Sequence, residues 1–574
     1  VNSVVGVATD FLESFRLRHG RAPRILHVGN VANNAYINAK ILNRAGFDCD
    51  VACYEYYHIM GTPEWQDADF ESNGIDQFFP NWQSMDLGDY QRPRWFAQGP
   101  TDLCIKYLIS KRRGADDLAE TYWQKLALVN QTARELTDLR DGAGDRLDSM
   151  TANSPRQGGI KNSLAGARRF MAFYFAACAH PEAYTHLWGL LGRIGKHRPF
   201  PMWLLLAVLA PLLVVFIGTM RLVHRLQWQL AAFAGLGRRA GMGNYSFRRR
   251  TRVLTRLFRK IFPDRMDLLT TRDCQIYEFV AANWRELFCE YDLVQCYAMD
   301  PILPLLADVR PFIAFEHGTL RSHTLGDDPV CRLNALGYNQ ADHTFITNGD
   351  CLEFAQKIGV TRYSPMVHPI DVEAFRDADL QPSMLKEELG VDYLFFCPVR
   401  HDWAIKGTDK YIRALPAIEK SLAGTFALVM TEWGEQVQDS KALAEELGVS
   451  HLLHWITPIP KLRLAKILKI TDAVFDQLAL PHFGATAPEA MAAGVPVLMS
   501  YRPESTAWII EEPAPILACH SVEDIAANAL KAIDPEYLAT YKQQARDWFD
   551  RYHSPDVVLA KHVAVYADLL EKSM

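Results

Sequence analysis

Arg400 and Lys406 are separated by five residues in a loop that follows an apolar run and ends at Gly407. Two cations so spaced, with a helix beginning behind them, suit a pair of phosphates. A second anion-seeking feature lies within Ala473–Met499, AVFDQLALPHFGATAPEAMAAGVPVLM. Small residues and Met from Ala485 to Ala493 favour a helix. Gly494 supplies its C-cap and Pro496 stops it. Behind a loop closed by Gly484, its N-terminus would offer the free amides of Ala485–Ala487 and the Thr486 hydroxyl to an anion. Glu489, one turn further in, suits ribose hydroxyls better than phosphate. His317, in the turn Glu316-His317-Gly318-Thr319, would hydrogen-bond a hydroxyl or help hold charge in a cleft.

These residues need strands that end together. Ala473–Phe475 and Pro496–Met499 read as buried strands, as do Tyr393–Pro398, Phe426–Met430 and His451–Ile456. Upstream, the strand Arg24–Gly29, a helix from Asn34 to Ala45 and the strand Phe47–Cys53 form a βαβ opening of Rossmann type. The G-x-G-x-x-G fingerprint is absent, so bound NAD is not expected. Gly29 ends the first strand, and Asn30 and Asn33 would present amides from the following loop. The pattern resumes with strands at Asp292–Met299, Pro311–Phe315 and Ala341–Asn348, a short helix Pro301–Ala307 and a linker near Val367–Asp371. The expected fold class is α/β, with two Rossmann-like domains facing across a cleft. Their expected extents are 1–375 and 376–545, followed by a C-terminal helix, 546–574.

The Ala473–Met499 segment resembles the donor-nucleotide segment of the retaining group 1, or family 4, glycosyltransferases, which have the GT-B fold. Those enzymes commonly carry two glutamates, the second within Glu-Ala-Met-Ala-x-Gly-x-Pro-Val. Glu489, Ala490, Met491, Ala492, Gly494, Pro496 and Val497 match that run. The first glutamate position falls on Pro481. The opening resembles instead a variant with an Asp-Gln pair, here Asp476-Gln477, which makes Asp476 the substitute sugar-binding carboxylate. The resemblance also covers Arg400 and Lys406 before a glycine, the His-Gly turn at His317 beside the donor sugar, and a loop at Gly29 near phosphates and acceptor. It further implies a turn at Ile456-Thr457-Pro458 that approaches the nucleotide base, and a C-terminal helix, 546–574, that returns toward the first domain. It covers 24–75 and 290–574 and implies sugar transfer from a UDP- or GDP-sugar to a glycan or lipid-linked acceptor. Retention of configuration follows from the same likeness. No other cofactor is expected. Metal-independent chemistry is preferred, because the Asp-x-Asp pairs at 67–69 and 377–379 read as polar loops. The alternatives are an epimerase or hydrolase of the same fold, or a scaffold that has lost catalysis.

At 574 residues the chain is too long for one core. Its net charge of −6 argues against a dedicated nucleic-acid binder. Eleven scattered Cys without a CxxC pair fit a reducing compartment, and the first residues do not read as a signal peptide. The stretch 101–269 reads as a helical insertion. Its apolar run Trp203–Gly218 is short for a crossing and is interrupted by Pro211. Nine basic residues follow between Arg238 and Lys260, with no acidic residue among them. Together these two runs predict peripheral or re-entrant attachment to an anionic membrane on its cytoplasmic face and a role in cell-envelope polysaccharide. Ahead of the insertion, Pro80–Pro100 is dense in aromatics. Trp95-Phe96 beside Arg92 and Arg94 would suit a sugar platform, a membrane anchor or packing under a long loop.

Overall fold

The computed structural model describes residues 2–72, 74–130 and 245–572. Val1–Asp141 with Phe247–Met574 forms one compact unit, and Gly142–Ser246 a second. The apolar run 203–218, Arg238 and Arg239 lie outside the described residues.

The first unit contains two parallel sheets. Seven strands form the first, in the order β3-β2-β1-β4-β5-β6-β7. They are Arg24–Val28 (β1), Asp48–Tyr54 (β2), Phe96–Gly99 (β3), Leu293–Tyr297 (β4), Phe312–Phe315 (β5), His343–Ile346 (β6) and Tyr363–Pro365 (β7). The second sheet has six strands, in the order β10-β9-β8-β11-β12-β13. These are Tyr393–Cys397 (β8), Phe426–Thr431 (β9), Leu453–Ile456 (β10), Ala473–Phe475 (β11), Val497–Met499 (β12) and Leu517–Ala518 (β13). Strands such as FALVMT are buried along their whole length, as expected where helices cover both sheet faces. The expected fold of two Rossmann-like domains is therefore what the chain adopts. Each sheet is wound out from its first strand in both directions, so each has a switch point, β1/β4 in one and β8/β11 in the other. Ligands of open α/β sheets sit outside the carboxyl ends of strands at such points.

The helix Pro555–Lys572 follows the second sheet in sequence yet packs on the first. Its Tyr566 hydroxyl donates to Gln295 Oε1 on β4 at 2.8 Å, and Lys561 Nζ donates to the Pro365 carbonyl at 3.0 Å. Asn2–His19 packs against it. The two sheets are also linked by charge. Asp69 of the first domain is held by Arg463 at 2.9 Å and Lys466 at 2.5 Å, and within the first domain Lys40 Nζ is 2.7 Å from Asp67 and 2.5 Å from Asp371.

The flanks of the 101–269 stretch belong to this unit. Helix Thr101–Arg112 sends Lys111 and Arg112 to Asp50, each at 2.5 Å. Helix Phe247–Ile261 buries Thr251, Leu254 and Phe258 and exposes Arg248, Arg249, Arg252, Arg256 and Arg259. Arg250 departs from the expected membrane-facing run. It pairs with Asp308 at 2.7 Å and donates to the Leu305 carbonyl at 2.8 Å, fixing the helix to the first domain. In the Pro80–Pro100 stretch, Trp82 and Tyr90 pack under a loop against buried Trp65 and Phe70. Trp95 stacks on Tyr36, centroids 5.0 Å apart.

Asp50 is fully buried and accepts from the Tyr291 hydroxyl at 2.8 Å besides its two cations. Asp50→Ala removes a buried carboxylate from Lys111 and the Tyr291 hydroxyl and leaves the nearly buried Arg112 side chain with only the more exposed Asp48 as its ion partner. Chemical denaturation of the variant is expected to show a loss of about 3–5 kcal/mol. A loss near the surface-pair value of about 0–1 kcal/mol would contradict this account.

Candidate functional site

The loop after β8 turns on Asp402. Its carboxylate accepts from the Ile405 amide at 3.0 Å and its carbonyl from the Lys406 amide at 2.6 Å. Gly407 then adopts φ +67°, where a Cβ would lie 3.1 Å from Leu478 Cβ. The loop after β11 is stitched to it by the Leu478 amide, which donates to the Lys406 carbonyl at 2.7 Å. This brings Lys406 Nζ onto Gln477 Oε1 and beside Asp476. Arg400, half-exposed, contacts Asp402 at 3.2 Å and repels Lys406.

Asp476 is 2% exposed and its Oδ2 has no hydrogen-bond partner. Burial raises its pKa; Lys406 and the backbone amides of Gln477 and Ala487 oppose that shift. Burial lowers the Lys406 ammonium in turn, with Asp476 opposing. The helix Thr486–Ala493 begins here with Ala485 at its N-cap, which offers no side-chain cap. Its first turn therefore faces Asp476 as well as the crevice. Glu489 is buried, and burial raises its carboxyl against the pull of Lys461. Lys461 Nζ pairs with Oε1 at 2.5 Å, while Oε2 is buried without a partner. Gly484 has no left-handed φ, and an added Cβ would meet nothing within 4 Å, so its loop does not require glycine.

On the first sheet, His317 follows β5, stacked between Tyr297 (5.7 Å) and His368 (5.9 Å). Burial holds its imidazole well below the usual range, hence neutral, and Nε2 has no partner. Glu316 is consumed by the turn itself, accepting from the Gly318 amide, Asn348 and Cys351. Thr457 is at the junction of the two sheets, its hydroxyl 3.2 Å from that of Ser72. Asn30 departs from the expected ligand-facing role. Its Nδ2 donates to Asn33 Oδ1 and the Gly61 carbonyl, both at 2.9 Å, and its Oδ1 accepts from the Tyr36 amide at 3.0 Å. The side chain anchors its loop to the 59–62 turn.

Gly29, at φ +82°, lies where any Cβ would collide with the Asp300 carboxylate. Asp300 escaped the sequence reading, as did Lys461, because neither belongs to a local motif. It sits just beyond β4 at the β1/β4 switch point and accepts from the Tyr54 hydroxyl. Burial pushes its carboxyl up to about 7, with the Tyr54 hydrogen bond opposing. Among the described residues, no three His, Cys, Asp or Glu side chains are grouped to hold a metal ion.

Residues 386–548, which include Arg400, Lys406, Asp476, Thr486 and Glu489, match the family Glycosyl transferases group 1. The D-inositol 3-phosphate glycosyltransferase of Mycobacterium marinum is 28% identical over 209 residues, 34% of this chain and 43% of that protein. The Mycobacterium avium enzyme of the same name is 26% identical over 279 residues, 45% of this chain and 64% of that protein. The alignment thus spans under half the length of the first relative. Among solved structures, Anabaena HepE in complex with UDP-glucose is similar at TM-score 0.43 and 17% identity, over 51% of this chain and 83% of that one. The sucrose-phosphate synthase of Thermosynechococcus elongatus is similar at TM-score 0.42 and 14% identity, over 52% and 79%.

Asp300 has a measurable signature. Unfolded, its carboxyl titrates at about 3.9; folded, at about 7. Between these values the folded chain keeps a proton that the unfolded chain has lost, so this stability is complete below about pH 4 and is lost as pH rises through 7. Asp300→Asn cannot titrate. Its stability relative to wild type is expected to rise by on the order of 2–4 kcal/mol from pH 4 to 8, read from paired denaturation curves. A difference that does not change with pH would rule out the shifted carboxyl.

Proposed function

We propose that this chain transfers a sugar from a nucleoside diphosphate sugar to a glycan or lipid-linked acceptor. One observation carries the reading. Arg400, Lys406 and Asp476 converge with the start of the Thr486–Ala493 helix at the β8/β11 switch point, within residues matching Glycosyl transferases group 1.

In this reading the donor diphosphate lies against Arg400, Lys406 and the first amides of that helix. As the bond from the anomeric carbon to the diphosphate breaks, negative charge grows on the leaving oxygen. Preorganised cations and amides stabilise that charge where it develops. Asp476 takes sugar hydroxyls, its free Oδ2 supplying an acceptor. His317, neutral and unpartnered at Nε2, meets the sugar from the other sheet. Glu489 Oε2 accepts from ribose, and Thr457 approaches the base of a uridine or guanosine nucleotide. The Gly29 loop borders donor and acceptor. Attack from the face the diphosphate leaves retains configuration without a protein nucleophile. Metal-independent transfer is supported by the aspartates of the 67–69 pair, which are engaged by Lys40, Arg463 and Lys466.

We also propose that the exposed arginines of Phe247–Ile261 contact an anionic membrane surface on its cytoplasmic side. No helix among the described residues is long and apolar enough to cross a membrane.

Arg400→Ala and Lys406→Ala are each expected to weaken UDP or GDP binding by about 10- to 100-fold, the worth of a charge-assisted hydrogen bond. Uridine and guanosine binding should change little. Calorimetric titration of both ligand types decides it, and equal losses would sink the phosphate assignment. Glu489→Ala should weaken nucleoside and nucleotide alike.

The membrane contact is tested by flotation with anionic and neutral liposomes at low salt. Reversing Arg252, Arg256 and Arg259 to Glu should remove binding worth about 1 kcal/mol per arginine on anionic vesicles only. Wild-type protein that stays off anionic vesicles would overturn the contact.

A further inference from the structure

A cavity of about 350 Å³ opens beside the edge strand β3, away from both switch points. Its walls come from the Trp82–Ser84 turn, β3 with the residues just before it, and the helix over 116–130. The volume falls at the small end of ligand sites, about 300–1,000 Å³.

The lining has a definite chemistry. Two indoles contribute apolar surface, Trp82 and Trp123, the latter also packed against Tyr107. Four carboxamides join them: Gln83, Gln91, Gln98 and Asn130. Gln98 is fixed, donating to the Tyr56 carbonyl and accepting from Arg92, each at 2.8 Å. Asn130 Nδ2 donates to the Gln98 carbonyl at 3.0 Å, while its Oδ1 is buried without a partner. The cations present are already neutralised. Arg92 forms a bidentate pair with Glu64 at 2.7 and 2.9 Å. Arg94 pairs with Glu120 at 2.8 Å and lies 4.8 Å over the Trp123 ring. An anionic ligand would have to compete with a carboxylate for either guanidinium. A purely apolar ligand would leave the carboxamides without partners.

We propose that this cavity binds a pyranose ring of a neutral glycan. A pyranose presents an apolar C–H face, which an indole covers. Around its edge run hydroxyls that both donate and accept, as carboxamides do. In naming part of the acceptor, the proposal rests on the transferase reading; the binding itself does not.

The test titrates the full chain with maltose, cellobiose and lactose, following tryptophan fluorescence and saturation-transfer NMR, with UDP and GDP titrated separately. At least one disaccharide is expected to bind, at millimolar affinity or better. Trp123→Ala should weaken it tenfold or more, and the exposed Gln91→Ala about fivefold, with UDP affinity held within twofold in both. Gln91→Ala guards against a folding defect in the tryptophan variant. Absence of binding by all three disaccharides overturns the proposal, and so does binding that both variants retain. Displacement of the sugar by UDP would put it in the β8/β11 crevice and equally overturn the assignment. Disaccharide binding without UDP or GDP binding would leave this site standing and remove the transferase reading.

Discussion

The candidate site depends on the hydrogen bond from the Leu478 amide to the Lys406 carbonyl. It joins the loops that leave β8 and β11, neighbours in space but far apart in sequence. With the pairing of β8 and β11 and the Lys410 Nζ bond to the Leu478 carbonyl at 3.3 Å, it keeps Lys406 beside Asp476 and Gln477. Gly407 permits the approach, since a side chain there would press on Leu478 while its backbone is left-handed. The same two loops carry Arg400 and the entry to the Thr486–Ala493 helix. This backbone contact, on paired strands, thus helps to set the spacing of cations, carboxylate and helix terminus.

Burial gives these groups their character. Asp476, Lys406 and Glu489 are each shifted toward the neutral form by desolvation and drawn back by a neighbour of opposite charge. Such a set is costly to hold apart from water, and Asp476 Oδ2 and Glu489 Oε2 are left as buried acceptors for which the protein supplies no donor. On the facing sheet, His317 is uncharged for the same reason. The crevice after β8 and β11 therefore gathers charged groups, and the facing sheet adds an uncharged hydrogen-bonding imidazole.

Much of this was legible along the chain. Apolar runs such as YLFFC and FALVMT announce buried parallel strands, and the Gly494-x-Pro496 ending marks where the helix stops. Glu489 and Lys406 were visible because their motifs are local. Lys461 and Asp300 were not, since each meets its partner only when distant strands and helices assemble. Asn30 illustrates the converse: a polar loop residue after a first strand reads as ligand-facing, and only the fold reveals the 59–62 turn that absorbs its amide. Arg250 is the same case on a helix, where a run of arginines conceals the one that Asp308 turns inward.

The return of Pro555–Lys572 onto the first sheet has a mechanical consequence. The chain passes between the two sheets twice, once through the linker near Asp371 and once near His553. Asp371 is gripped by Lys40 and Arg44, and His553 is buried against Phe483, Trp548 and Phe549. A body joined at one point can swivel in any direction. Joined at two, it swings about the line through them. Any relative motion of the two sheets would thereby be confined to a door-like path about that line, one that keeps the loops after β8 and β11 opposite His317.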